Sequence, residues 1–405
     1  MKKIGDSFKG ILGGFILIIA AVILLWWNEG NNVRNLKTTA EMGKNYVDVS
    51  SDKVDAANEG KLIATSGKLI NEEELTDKTF NVKVTTPLLK RTVEVYQWEE
   101  DSEESNGNTT YSYKKVWSST LIDSNNFHNG GHNNPTTKLY QDETYNSTDV
   151  RVGAFSLSTE QVLTLSTKGT VNEFDQETIE TLGYTTYGNY VTNAKDINNP
   201  EVGDFRIIFE YNNSTEVSVL AVQKGNSFVD YVSSSDKTVN RVMDGVLSGE
   251  EMINVIKKEN KILKWILRAV GLLLCAAGFG AILKPITTLA SFVPILGGLV
   301  GAAIGLVAFL LGLAVSLLVI AIAWIRFRPV LGICLLVAVV AVVVLLFTKL
   351  KKKKVETPAD VPVQDNNAQQ PVYTEPVQPA QPTYTEPTQP ETPTVEDQNI
   401  NNQNM

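Results

Sequence analysis

The chain has 405 residues, of which 43% are hydrophobic and 20% charged, and its formal net charge is -9. With no basic stripe outside the membrane flanks, that balance excludes a nucleic-acid-binding surface. The two cysteines, Cys275 and Cys334, both fall in apolar runs, so no disulfide staples the polar middle of the chain and the redox compartment stays open.

Lys2, Lys3 and Lys9 surround the start of an apolar run over 11–27 that ends in Trp26-Trp27. A hydrocarbon core of about 30 Å takes about 20 helical residues, which predicts a span over 8–27 with the tryptophans at the interface. No small-x-small cleavage site follows, so the run is read as a retained anchor rather than a signal peptide. The basic flank directs the N-terminus to the cytoplasm. Residues 1–30 are therefore the first unit, and 31–260 form a large extracytoplasmic soluble domain.

Periodicity in that domain favours strands. Phe80-Asn-Val-Lys-Val alternates, as does Val93-Glu-Val-Tyr-Gln-Trp98, and Tyr111, Tyr113 and Trp117 suit another strand after a polar loop over 101–108. The runs 205–211 and 217–222, joined by Asn212-Asn-Ser-Thr215, are predicted to form a β-hairpin. Ser158 starts a short capped helix over 158–165, and Ser248 with Glu250 and Glu251 starts one leading into the next span. The expected class is mainly β, within α+β. Asn108, Asn146, Asn212 and Asn213 begin glycosylation sequons, relevant only in a glycosylating host.

Residues 261–348 make a C-terminal membrane block. A second span is expected over 262–283, broken by Lys284-Pro285. The forty mostly apolar positions 286–325 are interrupted by Pro294 and Gly297-Gly298, and they read as a re-entrant or interfacial piece near 286–298 followed by a third span over 299–324. Gly301 and Gly305 supply a small-residue pair for helix association. Arg326-Phe-Arg-Pro329 makes a tight break before a last span over 330–348. Lys349 and Lys351 to Lys354 then fix a cytoplasmic end, giving four transmembrane helices, one N-terminal and three C-terminal. Arg326 and Arg328 weigh mildly against this arrangement, since it leaves them on the outer face. The lysines Lys351, Lys352, Lys353 and Lys354 also suit anionic lipid. The tail, within 349–405, repeats Pro371-Val-Tyr-Thr-Glu-Pro376 as Pro382-Thr-Tyr-Thr-Glu-Pro387 and has the composition of a disordered spacer or docking segment.

Several stretches together resemble the LUMA (transmembrane protein 43) family. They are Leu25-Trp-Trp-Asn-Glu-Gly30, Asn58-Glu-Gly-Lys-Leu62, Leu89-Lys-Arg-Thr-Val-Glu-Val-Tyr-Gln-Trp-Glu99, Tyr111-Ser-Tyr113, Trp117, Phe127, Gly131-His-Asn-Asn-Pro135, Pro200-Glu-Val-Gly-Asp-Phe-Arg206, Leu267-Arg-Ala-Val-Gly271 and Arg328-Pro329. The resemblance covers about residues 8 to 348, in order. It implies a multispan protein that organises membrane protein complexes and oligomerises. Eukaryotic members sit in the endoplasmic reticulum and inner nuclear membrane with partners such as emerin and lamins. Members are also considered as channel components, and the family carries no established catalytic residues. The repetitive tail departs from the family and its composition reads as bacterial, which makes a bacterial cell membrane the expected setting.

No catalytic, cofactor or metal site is expected. His128 and His132 are the only histidines, and Asp123 and Asp142 could complete a zinc set in principle. The glycines between the histidines favour a structural turn. The acidic run Glu99, Glu100, Asp101, Glu103 and Glu104 reads as a solvated loop, because acid–base chemistry needs a carboxylate whose surroundings raise its pKa. Lys264, Arg268, Arg326 and Arg328 read as residues reaching to the interface rather than as a pore lining. The expected function is a non-enzymatic membrane scaffold, with the bilayer, membrane proteins and a second copy of the chain as partners and no nucleic acid. An oligomeric channel with Gly301 and Gly305 at an interface is the alternative, and an envelope enzyme using His132 or nearby carboxylates the weaker third.

Overall fold

The structure, a computed structural model, describes residues 2–105, 108–290 and 297–330, together with 332–334 and 337. The chain begins with α1 (Lys2–Asn45), a helix of 44 residues. At 1.5 Å per residue it rises about 66 Å, roughly twice the apolar thickness of a bilayer. The expected span over 8–27 is thus its first half. Beyond Trp27 the helix continues because a second stripe takes over: Asn28, Asn31, Asn32, Thr38, Thr39 and Met42 are all buried at spacings of three, four and seven, one face of a helix.

After α1 come β1 (Val47–Ser50), β2 (Leu62–Ile70), β3 (Glu74–Asp77), β4 (Val82–Thr85), β5 (Leu88–Ser105) and β6 (Asn108–Ser118). They are followed by β7 (Glu143–Asn146), β8 (Arg151–Val152), β9 (Phe155–Ser156), α2 (Thr159–Leu163), β10 (Gly169–Thr170) and α3 (Gln176–Thr181). Next are β11 (Thr185–Tyr187), β12 (Tyr190–Thr192), β13 (Phe205–Tyr211), β14 (Glu216–Lys224) and β15 (Ser227–Val229). The soluble part closes with β16 (Tyr231–Val232), β17 (Thr238–Val239) and β18 (Arg241–Asp244), before α4 (Gly249–Ala290) and α5 (Gly297–Phe327).

Among the described residues the strands form two main sheets. The membrane-proximal sheet runs β15-β14-β2-β8-β9, with β1 parallel on β2 and β18 on β14. Side chains alternate across a strand, and β2 uses both sides. Leu62 and Ala64, with Leu220 of β14, pack on Met42 of α1 and Met252, Ile253 and Ile256 of α4. Ile63, with Val217, Val219 and Ala221, faces a separate core with Val152, Phe155, Val162 and Phe228. The distal sheet runs β11-β12-β13-β5-β6, with β10 on β13 and β7 on β5. Its core joins Leu89, Val93, Val95, Phe205, Ile207 and Phe209 to Phe80, Leu75 and Val82 from the β3–β4 ribbon and Ile179 from α3.

The mainly β, α+β reading holds, and both expected helix starts are present. Ser158 and Gln161 form a reciprocal capping box on α2, and Ser248 with Glu251 does the same on α4. Four readings are corrected. The runs 205–211 and 217–222 are not a hairpin: β13 pairs with β5 and β12, and β14 with β2, β15 and β18. The turn-like link between them is pinned instead, with Asn212 donating its amide N–H to Leu88 O at 2.8 Å and its side-chain amide to Ser166 O at 2.7 Å. The expected loop over 101–108 is, in its described part, the outer end of the β5–β6 hairpin, registered Tyr96↔Trp117 through Glu104↔Thr109. Thr110, Tyr111 and Tyr113 supply the strand propensity that the acidic run lacks.

Pro285 does not end the second span, because α4 passes through it to Ala290. A membrane helix tolerates the lost hydrogen bond when its neighbours and local adjustments satisfy the freed carbonyl. The separate piece expected near 286–298 is therefore, where described, the end of α4 and the start of α5. Three described helices are long and apolar enough to cross a membrane, within Gly10–Asn45, Gly249–Ile286 and Gly301–Phe327. Most of the fourth span, the lysine cluster and the repeat tail lie outside the described residues.

Candidate functional site

The candidate site is where the three long helices leave the apolar layer. Glu29 of α1 is 1% exposed, and a carboxylate so buried needs a counter-charge. Arg268 of α4 supplies it, its Nε donating to Glu29 Oε1 at 2.7 Å and its Nη2 lying 2.6 Å from the same oxygen. The other oxygen, Oε2, accepts the indole N–H of Trp324 of α5 at 2.9 Å. The guanidinium also lies 4.8 Å from the Trp265 ring centroid and 5.9 Å from that of Trp324. One carboxylate thereby ties three helices together.

The residues around this clasp are fitted to it. Gly271 lies one turn further along α4, and a Cβ there would sit 2.5 Å from Leu25 Cδ2. A Cβ on Gly30 would stand 2.8 Å from the Phe327 ring, which itself packs 5.4 Å from Trp26. Beyond the clasp, Asn28 donates to Lys264 O at 3.1 Å and Asn35 to Asn260 Oδ1 at 2.8 Å. Deeper in the membrane the backbones of α1 and α4 meet at Gly14 and Gly278, where a Cβ on either would stand 2.6–2.7 Å from the other's carbonyl oxygen. Gly312 of α5 is equally close to Ala276. The Gly10-x-x-x-Gly14 spacing was the available signal for this contact. Gly301 and Gly305, the pair singled out by sequence, meet nothing within 4 Å of an added Cβ.

Chemically the clasp is a closed unit. Both carboxylate oxygens accept hydrogen bonds from within the protein and the guanidinium lies against two indole rings, so these charges hold helices together. Sequence reading placed Arg268 at the interface, whereas the structure buries it to 14% exposure against Glu29. Glu29 carried no sequence signal as a charge partner, because its counter-ion lies 239 residues away.

In the soluble domain, the residues singled out by sequence are fasteners as well. His132 stacks on Tyr113 at 3.8 Å and meets Trp98 edge-on at 4.7 Å, and His128 stacks on Tyr111 at 4.0 Å. Gly131, at φ +92°, turns the loop that presents them. Asn134 acts as a strand substitute, accepting from Trp98 N at 2.7 Å and donating to Trp98 O at 2.8 Å. Asp123 caps Asn125 N at 3.0 Å, and Asp142 accepts from Val93 N at 2.7 Å and Lys138 at 3.1 Å. The structure does not bring these carboxylates and the histidines into one site. Among the described residues, no group of three His, Cys, Asp or Glu side chains could hold a metal ion. In the acidic run, Glu99 pairs with Lys114 at 3.0 Å and Glu100 accepts the Tyr113 hydroxyl at 2.5 Å. Asn212, a sequon residue, is 3% exposed and hydrogen-bonded, which leaves no room for a glycan.

Two further charged clusters were missed by sequence. Arg91 is 5% exposed, pairs with the fully buried Asp77 and lies 2.6 Å from Glu143, while the Tyr145 hydroxyl donates to Asp77 at 2.8 Å. Burial and the Asp77 carboxylate push the Tyr145 hydroxyl far above its ordinary value. Arg206 meets Glu94 at 2.5 Å between the rings of Trp117 and Tyr190, at 4.8 and 4.7 Å.

The family model described as Transmembrane protein 43 matches residues 95–329. A Transmembrane protein 43 homolog of Drosophila melanogaster is 31% identical over 350 residues, covering 81% of this chain and 91% of the relative. Transmembrane protein 43 of Rattus norvegicus is 26% identical and that of Homo sapiens 27% identical, each covering 88% of this chain and 94% of the relative. No solved structure matches the chain.

Proposed function

Since the chain belongs to the transmembrane protein 43 family, we propose that it is a non-enzymatic organiser of membrane protein complexes, working through the β-rich domain beside the bilayer. The observation that carries this reading is the unbroken passage of α1 and α4 from the apolar layer into the proximal sheet, locked by Glu29, Arg268 and Trp324. A domain borne on two continuous helices is held at a fixed height and angle, as a scaffold requires. The β5–β6 hairpin supports it too, since it carries polar, exposed side chains outward.

In this reading the N-terminus and the tail lie in the cytoplasm and the β-rich domain is extracytoplasmic, as Lys2, Lys3, Lys9 and the lysines over 349–354 favour. A bacterial cell membrane is the expected setting.

Crosslinking in native membranes tests the scaffold reading. The intact chain is expected to recover a reproducible set of integral membrane proteins, and a chain whose hairpin over 101–113 is cut back to a short turn is expected to lose part of that set. An unchanged set would remove the hairpin as a docking element.

An oligomeric channel is the second reading. In its favour, Gly301 and Gly305 border an open groove of about 390 Å³ with Ala277, Gly280 and Ile304. Voltage-dependent conductance in liposomes that Gly301→Leu with Gly305→Leu abolishes would replace the scaffold reading by this one.

A further inference from the structure

One face of α1 changes character at the level of the clasp. Ile23, Trp26, Trp27 and Gly30 follow one another at helical spacings, and Arg34 and Lys37 continue the same stripe. With Arg326, Phe327 and Pro329 at the end of α5, this face borders an open groove of about 700 Å³. The floor is apolar and set at membrane depth, with Ile23 63% and Trp26 38% exposed. Gly30 keeps the floor low, because any side chain there would meet the Phe327 ring. The rim is cationic. Arg34, Lys37 and Arg326 are all exposed, and none has a carboxylate within ion-pair distance among the described residues.

The carboxylates nearest in sequence are already engaged. Glu29 is held by Arg268 and Trp324 on another face of α1. Glu41, one turn beyond Lys37, accepts hydrogen bonds from Tyr231 at 2.6 Å and from Ser234. A fourth cation, Lys237, stands close enough to Arg34 that burial and the arginine's charge together lower its pKa.

From Ile23 to Arg34 the helix rises about 16 Å, a distance that leads from acyl chains to the head-group level of a bilayer. Paired tryptophans mark that level in membrane proteins. An apolar floor that becomes a three-cation rim along this axis complements an amphiphile with a negative head. We propose that the groove between α1 and the end of α5 binds one anionic glycerophospholipid on the soluble-domain side of the membrane, its phosphate at Arg34, Lys37 and Arg326 and its acyl chain along Ile23, Trp26 and Phe327. The site as proposed uses none of the lysines over 351–354, and the proposal does not depend on the scaffold reading.

The test uses the full chain in detergent, titrated with phosphatidylglycerol or with phosphatidylcholine of identical acyl chains and read by native mass spectrometry. Wild type is expected to prefer phosphatidylglycerol. Arg34→Gln with Lys37→Gln and Arg326→Gln is expected to reduce that preference at least about tenfold, the scale set by removing basic residues near a lipid surface. Replacing Lys351 to Lys354 with Gln is expected to leave it. A preference that survives the groove substitutions and vanishes with the tail substitutions overturns the proposal. The charge-conserving variant Arg34→Lys, Lys37→Arg and Arg326→Lys is expected to keep the preference, and its loss there also counts against the site. Phosphatidylglycerol carrying a photoreactive acyl chain tests wild type with no substitution. It should label residues 22–37 or the end of α5, and labelling confined to other segments refutes the groove.

Discussion

Glu29 illustrates how little a buried charge can be judged alone. An ion pair in a low-dielectric site contributes modestly compared with well-packed apolar residues, yet removing one partner strands the other at a cost of about 3–5 kcal/mol. Arg268→Leu and Glu29→Ala are each expected to destabilise the three-helix block by roughly that amount in denaturant titrations of the detergent-solubilised chain. The double variant Glu29→Ala with Arg268→Leu is expected to cost clearly less than the two single losses added together, and simple additivity would show that the pair is not coupled. Tyr184 gives a second test at this scale. Burial, with its hydrogen bond to Tyr140 at 3.0 Å, pushes its hydroxyl up to about 12 from an ordinary 10.0. The folded state therefore holds this proton more tightly than the unfolded chain does. Its contribution is complete below about pH 10 and lost as pH rises through about 12. Tyr184→Phe is expected to shrink the alkaline loss of stability between those pH values, measured on the folded chain by urea titration.

At the scale of the element, the membrane helices separate two kinds of glycine. Gly14 and Gly278 mark a backbone contact between α1 and α4, and a larger side chain at either forces the helices apart. Gly14→Leu is expected to lower the melting temperature of the purified chain by several degrees through overpacking of about 1–3 kcal/mol. Gly301→Leu, which adds a side chain into open space, is expected to leave it near wild type. Equal effects would mean that the α1–α4 contact is not the tight one. The start of α4 follows the same logic of local satisfaction. Ser248→Ala removes the cap from Glu251 N and is expected to cost about 1 kcal/mol, read as earlier unfolding of the segment around 249–256 by hydrogen exchange.

Across the whole molecule, the parts read correctly from sequence are those whose signal is local. Apolar runs announced the described membrane helices, alternating or apolar runs announced β4, β5, β6, β13 and β14, and the Ser158 and Ser248 caps announced their helices. What escaped depends on distant partners. β13 and β14 look like a hairpin because their own pattern is strand–turn–strand, and only β5 and β2 decide that they part. Pro285 looks like a terminator because its missing N–H is local, whereas its tolerance is a property of the environment. The clasp was half legible: Arg268 stood out as a charge in an apolar run, but Glu29 did not announce its partner. The family stretches, read as recognition marks, turn out to be joints, since Leu25–Gly30 meets Leu267–Gly271 at one of them. Topology is tested at this scale by single cysteines, Asn106→Cys or Gln370→Cys, in a chain with Cys275→Ala and Cys334→Ser. A membrane-impermeant thiol reagent is expected to label the first from outside and the second only after permeabilisation. Labelling of both from one side would defeat the four-span arrangement.

The crossing from β13 to β14 also sets an order of assembly. β3 to β7 and β10 to β13 come from one contiguous stretch, so the distal core can close as soon as residues 74–211 have been synthesised. The proximal sheet cannot: β2 must wait with an open edge for β14, some 150 positions later, and α1 must wait longer still for α4. Long-range pairing of this kind is slow because loop closure precedes its reward. Until β14 and α4 are synthesised, a distal lobe that closes early would hang on a single helix, with the apolar strand 62–70 and the carboxylate of Glu29 both unmatched. That stage is when chaperones and quality-control proteases of the membrane would meet it.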